Sequence, residues 1–293
     1  MTLLLMAAGS GSRYGKLKQF DGLGPNEEFL MEFSIFDAIK HGFTHIVAIT
    51  KAENVDFLQN HLTGRLPKNI KLDVLAQTLE DLPANTTYNG ERLKPWGTAH
   101  AVWTARNVIN GAFGVLNADD FYGENAFKNA AKIIANGHGF GLISYTLKDT
   151  LSDNGSVSRG ICETKNNVLL SINERLKLEA KDDHIIDTDT GLKFTGEEQA
   201  SMNFWVCDRS IFDFIKNEFI AFLGDDEKVK SSELYLPMIV QEMMIQKGIQ
   251  VATLNSEDNW FGVTYADDRE VAVAKLNEMT KLGKYPLDLW KNN

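Results

Sequence analysis

Short apolar runs alternate with amphipathic stretches through the first half of the chain. Leu3-Leu4-Leu5 is apolar at successive positions, as a strand is when both of its faces are covered. Residues 45–50, 72–77, 113–117 and 140–146 have the same character and predict four further strands. Between them, 29–42, 54–62, 98–108 and 125–136 carry apolar residues at helical spacing and predict helices. This order predicts a three-layer α/β/α architecture whose central sheet is mixed but mostly parallel.

The second half reads differently. Residues 160–164, 168–172 and 202–207 predict shorter strands of a mixed sheet. Residues 211–223 and 233–247 predict helices, 249–254 a strand, and 268–282 a last helix. No linker, repeat or low-complexity tract interrupts the chain. A single domain over 1–293 is expected, in two halves at 1–150 and 151–293.

Composition narrows the function. Thirty Lys and Arg against 40 Asp and Glu give a formal charge of −10, which argues against a nucleic-acid footprint. No apolar run reaches membrane-spanning length and no secretory leader is recognisable, so a soluble, cytoplasmic protein with no membrane partner is expected. Cys162 and Cys207 match neither a disulfide framework nor a zinc spacing and are expected to be buried apolar residues.

Chemistry is densest just after the first strand. Gly9, Gly11 and Gly15 permit a tight turn that brings backbone N–H groups close to a ligand, and Arg13, Lys16 and Lys18 add positive charge. A polyphosphate is the guest such a turn suits. The spacing is neither of the better-known ones. A P-loop needs a hydroxyl where Leu17 follows Lys16, and a dinucleotide fingerprint needs an acid where Lys51 ends the second strand. Asp119-Asp120 follows the strand at 113–117, at the sheet edge where open α/β folds place ligands, and two hard carboxylates there suit Mg²⁺ shared with phosphate. Lys94-Pro95-Trp96-Gly97-Thr98 reads as a fixed loop that opens a helix. His100 has no Ser or Cys partner to make it a catalyst.

Together these segments resemble the sugar-1-phosphate nucleotidyltransferases, the enzymes that make nucleoside-diphosphate sugars. Ala7-Ala8-Gly9-x-Gly11-x-Arg13 with Lys18 is similar to their L-A-A-G-x-G-x-R…K signature, Gly97-Thr98-Ala99-His100-Ala101 to their G-T-[AG]-x-A segment, and Leu116-Asn117-Ala118-Asp119 to the strand ending in [GA]-D. The resemblance implies a Rossmann-like nucleotide-diphospho-sugar transferase fold, an NTP and a sugar 1-phosphate as substrates, and Mg²⁺ as cofactor. Position by position, it implies that Arg13 and Lys18 act on the triphosphate as catalytic cations. Ala8, Gly9, Gly11, Gln77, Gly97 and Thr98 would bind the nucleotide, with Gln77 reading a base for which uracil is favoured. Residues 78–96 then form an insertion ahead of the Gly-Thr pair.

In the second half the resemblance implies that Gly160, Glu174, Arg175 and Asn203 bind the sugar phosphate. Asn173-Glu174-Arg175-Leu176 stands where the family has E-K-P, and Met202-Asn203-Phe204-Trp205 where it has N-x-G-[IV]-Y. Asp119 would hold the metal. The family's second metal carboxylate, within W-x-D-x-G-T, falls on Gly262 here, so Asp258 is the substitute expected. Glucose 1-phosphate with UTP is the pairing the resemblance suggests. Two other readings stay open. One is transfer to another phosphate such as phosphocholine, for which Trp96, Phe204 and Trp205 could line an aromatic pocket. The other is a non-catalytic nucleotide sensor, for which Gly262 is the one supporting feature.

Overall fold

Successive residues of a strand face opposite sides of its sheet, and β1 (Thr2–Met6) buries both sides. Leu4 and Met6 pack with α3 (Thr98–Thr104), α5 (Ser210–Leu223) and α7 (Leu236–Lys247). Leu3 and Leu5 pack with α1 (Leu30–Lys40), α2 (Val55–Thr63) and α4 (Glu124–Ala135). Helices thus cover both faces of a central sheet, the three-layer α/β/α arrangement that the apolar runs predict. The computed structural model describes residues 1–9, 18–88, 90–152, 155–263 and 268–291.

The sheet begins as four parallel strands in the order β3 (Lys71–Ala76), β2 (His45–Thr50), β1, β4 (Phe113–Asn117). Beside β4 lies β11 (Gln199–Cys207), antiparallel both to it and to β6 (Phe140–Thr146). β12 (Val251–Asn255) then runs parallel to β6. Two short strands, β5 (Asp120–Phe121) and β13 (Phe261–Gly262), pair separately beyond the end of β4. They pack with α8 (Asp268–Lys281) in a small apolar cluster of their own.

An antiparallel arm departs from the sequence expectation. The two short strands foreseen near 160 and 168 are instead β7 (Val157–Lys165) and the 14-residue β8 (Val168–Lys181), continued by β9 (His184–Asp187) and β10 (Lys193–Phe194). The arm is solvated, so polar residues dilute its apolar signal. Its turn was legible: Asn166 and Asn167 take φ of +52° and +61°, the backbone of a two-residue hairpin loop that Asn accepts. The helix foreseen at 233–247 starts three residues later, at Leu236, after the short α6 (Lys228–Ser231). Both cysteines are buried and unpaired, as expected.

The C-terminal residues dock on α1 through polar groups. Trp290 Nε1 donates to Glu32 Oε2 (2.7 Å), and Tyr285 Oη donates to Asp37 Oδ2 (2.6 Å). Burial pushes the Asp37 carboxyl from 3.8 up to about 7, the Tyr285 hydrogen bond opposing it. A carboxyl raised in the folded state binds more protons than in the unfolded chain, so it costs stability progressively as pH climbs from about 4 to about 7. Asp37→Asn therefore raises the melting temperature at pH 8 more than at pH 5. Equal gains at the two pH values would contradict the assignment.

Candidate active site

The end of β1 is held on both sides. Ala7 N–H donates to Ile49 O (2.7 Å), and Ala118 N–H donates to Met6 O (3.1 Å). The buried Gln19 amide donates to both Ala7 O and Gly9 O at 3.1 Å, fixing the point where the glycine-rich segment leaves the strand. Ala8 is buried, whereas among the described residues no heavy atom lies within 4 Å of where a Cβ on Gly9 would stand. Gly11, Arg13 and the side chain of Lys18 lie outside the described residues.

The Gly97–Thr98 turn is built by close approach. Gly97 has φ +113°, and a Cβ there would stand 2.4 Å from Leu234 O. Glycine is required on both counts. Leu234 N–H donates to Trp96 O (2.8 Å), Ala99 N–H donates to Leu234 O (3.0 Å), and Thr98 Oγ1 accepts from Leu236 N–H (2.9 Å) at the start of α7. The loop is therefore sewn to the helix that walls the other half. Gln77 Nε2 donates to Gly97 O (2.9 Å) and to His100 Nδ1 (3.2 Å). His100 Nε2 in turn donates to Asp81 O (2.9 Å), which leaves Nδ1 as the acceptor, and burial keeps the ring neutral by lowering its pKa. The segment 78–96 thus supplies both the carbonyl that sets this tautomer and Trp96, which is fully buried in the core.

A cavity of about 650 Å³ opens at the carboxyl end of β4. Thr98 and Asn117 come from residues 1–150, and Gly160, Glu174 and Asn203 from the arm and β11. Asn203 reaches it through a bulge: Met202 and Asn203 are two extra residues between Ser201, paired with Ser144, and Phe204, paired with Ile143. Its φ is +63°, a left-handed conformation that Asn tolerates better than most residues. A string of hydrogen bonds starts here. Trp205 Nε1 donates to Asn203 Oδ1 (2.9 Å), Asn203 Nδ2 to Asn117 Oδ1 (2.9 Å), and Asn117 Nδ2 to Asp120 Oδ2 (3.0 Å). Gly160 sits opposite Glu174 on the arm, where a Cβ would meet Ile172 at 2.7 Å and Glu174 Oε2 at 3.4 Å. Desolvation raises the Glu174 carboxyl, while Arg159 pulls it down.

Other expected residues are placed elsewhere. Arg175 is absent from the cavity wall, and its Nη1 lies 3.6 Å from Asp187. Arg159, one strand over, lines the cavity. Asp258 also stands outside the wall. Its carboxylate accepts from Asn125 N–H (2.7 Å) and Asn125 Nδ2 (3.2 Å), covering the first turn of α4. Of the Asp119-Asp120 pair, Asp120 lines the cavity. A Cβ on Gly262 would lie 2.5 Å from Asp120 Oδ1, so the position where the family carries its second carboxylate leaves no room for one in this packing. Among the described residues, no group of three or more His, Cys, Asp and Glu could hold a metal ion. Asp120 at the cavity suits Mg²⁺ in kind, since that ion takes one or two carboxylates and completes its shell with phosphate oxygens and water; Asp119 is not part of the wall. Trp96, Phe204 and Trp205 are all fully buried in the core, which withdraws the aromatic lining considered for phosphocholine.

Comparison with known proteins identifies the scaffold. A family model described as "Nucleotidyl transferase" matches residues 3–263. The chain belongs to the nucleotidyl transferase family. No curated protein sequence matches it. Similar solved structures include the inositol-1-phosphate CTP transferase from T. maritima, with 13% identity, TM-score 0.64, 94% of this chain and 96% of that one covered. A putative glucose-1-phosphate thymidylyltransferase from Bacillus anthracis follows, with 14% identity, TM-score 0.63 and 95% and 96% covered. UDP-glucose pyrophosphorylase from acinetobacter baumanii gives 15% identity, TM-score 0.61 and 96% and 97% covered. The nucleotidyl transferase fold therefore runs nearly end to end.

The left-handed backbone at Asn203 yields a test. Asn203→Ala and Asn203→Gly lose the same two hydrogen bonds, but only Ala adds strain at positive φ, about 1–2 kcal/mol. In urea unfolding, the Gly variant should be the more stable of the two by roughly 1 kcal/mol. Equal stabilities, or a more stable Ala variant, would contradict the backbone assignment.

Proposed function

We propose that this nucleotidyl transferase joins an NTP, with UTP favoured, to a sugar 1-phosphate, releasing pyrophosphate with Mg²⁺ as cofactor. The observation that carries the reading is the cavity itself. It lies at the carboxyl end of β4, with Thr98 of the Gly-Thr turn on one wall and Gly160, Glu174 and Asn203 on another. Glucose 1-phosphate is the acceptor we favour. The solved relatives above bear the names of inositol 1-phosphate, glucose 1-phosphate and UDP-glucose, all built on polyol phosphates.

Support for uracil comes from Gln77. Gly97 O and His100 Nδ1 are both acceptors, so the amide turns Nε2 toward them and keeps the acceptor capacity of Oε1 for a ligand beside the Gly-Thr turn, although Gln77 itself is not part of the cavity wall. An acceptor suits the ring N–H of uracil or thymine and opposes the bare ring nitrogen of cytosine.

The chemistry needs no side-chain nucleophile. A phosphate monoester is largely dianionic at neutral pH, its second pKa being about 6, and can attack the α-phosphate directly. Catalysis then consists of aligning two anions that repel each other and neutralising charge as pyrophosphate departs. Glu174 and Asn203 would orient sugar hydroxyls, while Arg13 and Lys18 would neutralise the triphosphate. Mg²⁺ held by Asp119 and Asp120 would add neutralisation at the reacting phosphates.

Pyrophosphate release measured across UTP, dTTP, CTP, ATP and GTP against several sugar 1-phosphates tests the reading. Release should require one sugar phosphate and Mg²⁺, with UTP or dTTP ahead of CTP. Lys18→Ala should lower turnover by at least about 10²-fold, the scale of one lost electrostatic stabiliser. Nucleotide binding with no release in any combination would sink the transferase reading in favour of a sensor.

A further inference from the structure

Two groups in the cavity wall can only donate hydrogen bonds, and both have donors to spare. Arg159 lines the cavity and is 9% exposed. Its Nε donates to Thr150 O (3.0 Å), its Nη2 donates to the same carbonyl, and its Nη1 donates to Ser158 O (2.7 Å). A guanidinium has five N–H groups. One on Nη1 and one on Nη2 are therefore left without an acceptor among the described residues. Trp260 also lines the cavity and is 8% exposed, with the Arg159 guanidinium 4.9 Å from its ring centroid. Its Nε1 is buried with no hydrogen-bond partner among the described residues. The spare N–H groups of a guanidinium in the cavity wall, stacked over that ring, point to a missing oxyanion.

We propose that Arg159, held over the Trp260 ring, forms the seat for the acceptor's phosphate in this chain. This rests on the transferase reading above and names a residue pair that the sequence reading passed over. Arg175 does not take the role: Glu174 lines the cavity, whereas Arg175 is absent from its wall and its guanidinium goes to Asp187. Arg159 pairs with Arg175 across the β7–β8 ladder and delivers its charge to the cavity instead.

The surrounding charges suit the assignment. Asp120 and Glu174 both act on Arg159, favouring its charged form. Burial lowers its pKa to about 10, which leaves it cationic at neutral pH. Without that cation, a phosphate dianion would enter a wall whose other charges are carboxylates. The planar fork also offers two N–H groups to one phosphate, a geometry that Lys cannot copy.

The test is titration calorimetry on wild type, Arg159→Lys, Arg159→Met and Trp260→Phe. The probes are glucose 1-phosphate and inorganic phosphate with Mg²⁺, with and without a UTP analogue whose α–β bridge is methylene. A thermal melt of each variant accompanies the titrations. Arg159→Met should weaken both phosphate probes at least about tenfold, Arg159→Lys and Trp260→Phe should weaken them by smaller factors, and affinity for the UTP analogue should stay within about twofold. If Arg159→Met does not fold, Arg159→Lys decides: weaker phosphate binding supports the proposal and unchanged binding overturns it. Wild type that binds the UTP analogue but neither phosphate probe overturns it, as does an equal loss for analogue and phosphates. Phosphate binding that depends on Arg159 in a protein releasing no pyrophosphate would uphold the seat while removing the transferase reading.

Discussion

The site hangs on one line of hydrogen bonds, from the Trp205 indole through Asn203 and Asn117 to Asp120. It crosses the junction where parallel β4 meets antiparallel β11, the point at which the two halves of the sheet meet. Tyr122, fully buried, closes it from below by donating to Met202 O (2.9 Å) and lying within 3.3 Å of Asp120 Oδ2. Each amide is used at both ends, so no member can turn without stranding a neighbour's polar group in a poorly solvated place. That constraint makes the two-residue bulge and the left-handed backbone at Asn203 tolerable, and it holds a carboxylate at the cavity edge.

A second tie joins the halves from the outside. The Gly97–Thr98 turn and the 234–236 segment exchange backbone hydrogen bonds, and Thr98 serves the first turn of α7. The Gly97–Thr98 loop and the wall of the cavity that α7 supplies are thus tied together. Electrostatics adds the remaining constraint. A chain of net charge −10 that receives two anionic substrates must concentrate cations locally. Arg159 is such a cation within the described residues, placed between Asp120 and Glu174.

What could be read from the sequence follows from where local signals suffice. Leu3-Leu4-Leu5 announces a strand covered on both faces because period-2 alternation is missing, and the packing bears that out. Gly97 was legible because a turn that forbids a Cβ leaves only glycine. Arg159 was not, because its role comes from pairing across an arm whose length the sequence hid among solvated polar residues. Arg175 shows the opposite failure: adjacency to Glu174 in the chain suggested one shared site, but its guanidinium goes to Asp187 on the next strand of the arm. At Asp258 the carboxylate goes to Asn125, a partner 133 residues away that no local pattern could indicate.

The central claim is that one phosphate attacks another directly in this cavity, with no side chain carrying the nucleotide between them. The stereochemical course at the α-phosphorus tests it most directly. Turnover of a single diastereomer of uridine 5′-(1-thiotriphosphate) with glucose 1-phosphate, read by ³¹P NMR of the product, should show inversion, as one in-line displacement requires. Retention would mean two displacements through a covalent enzyme intermediate, and would contradict the account.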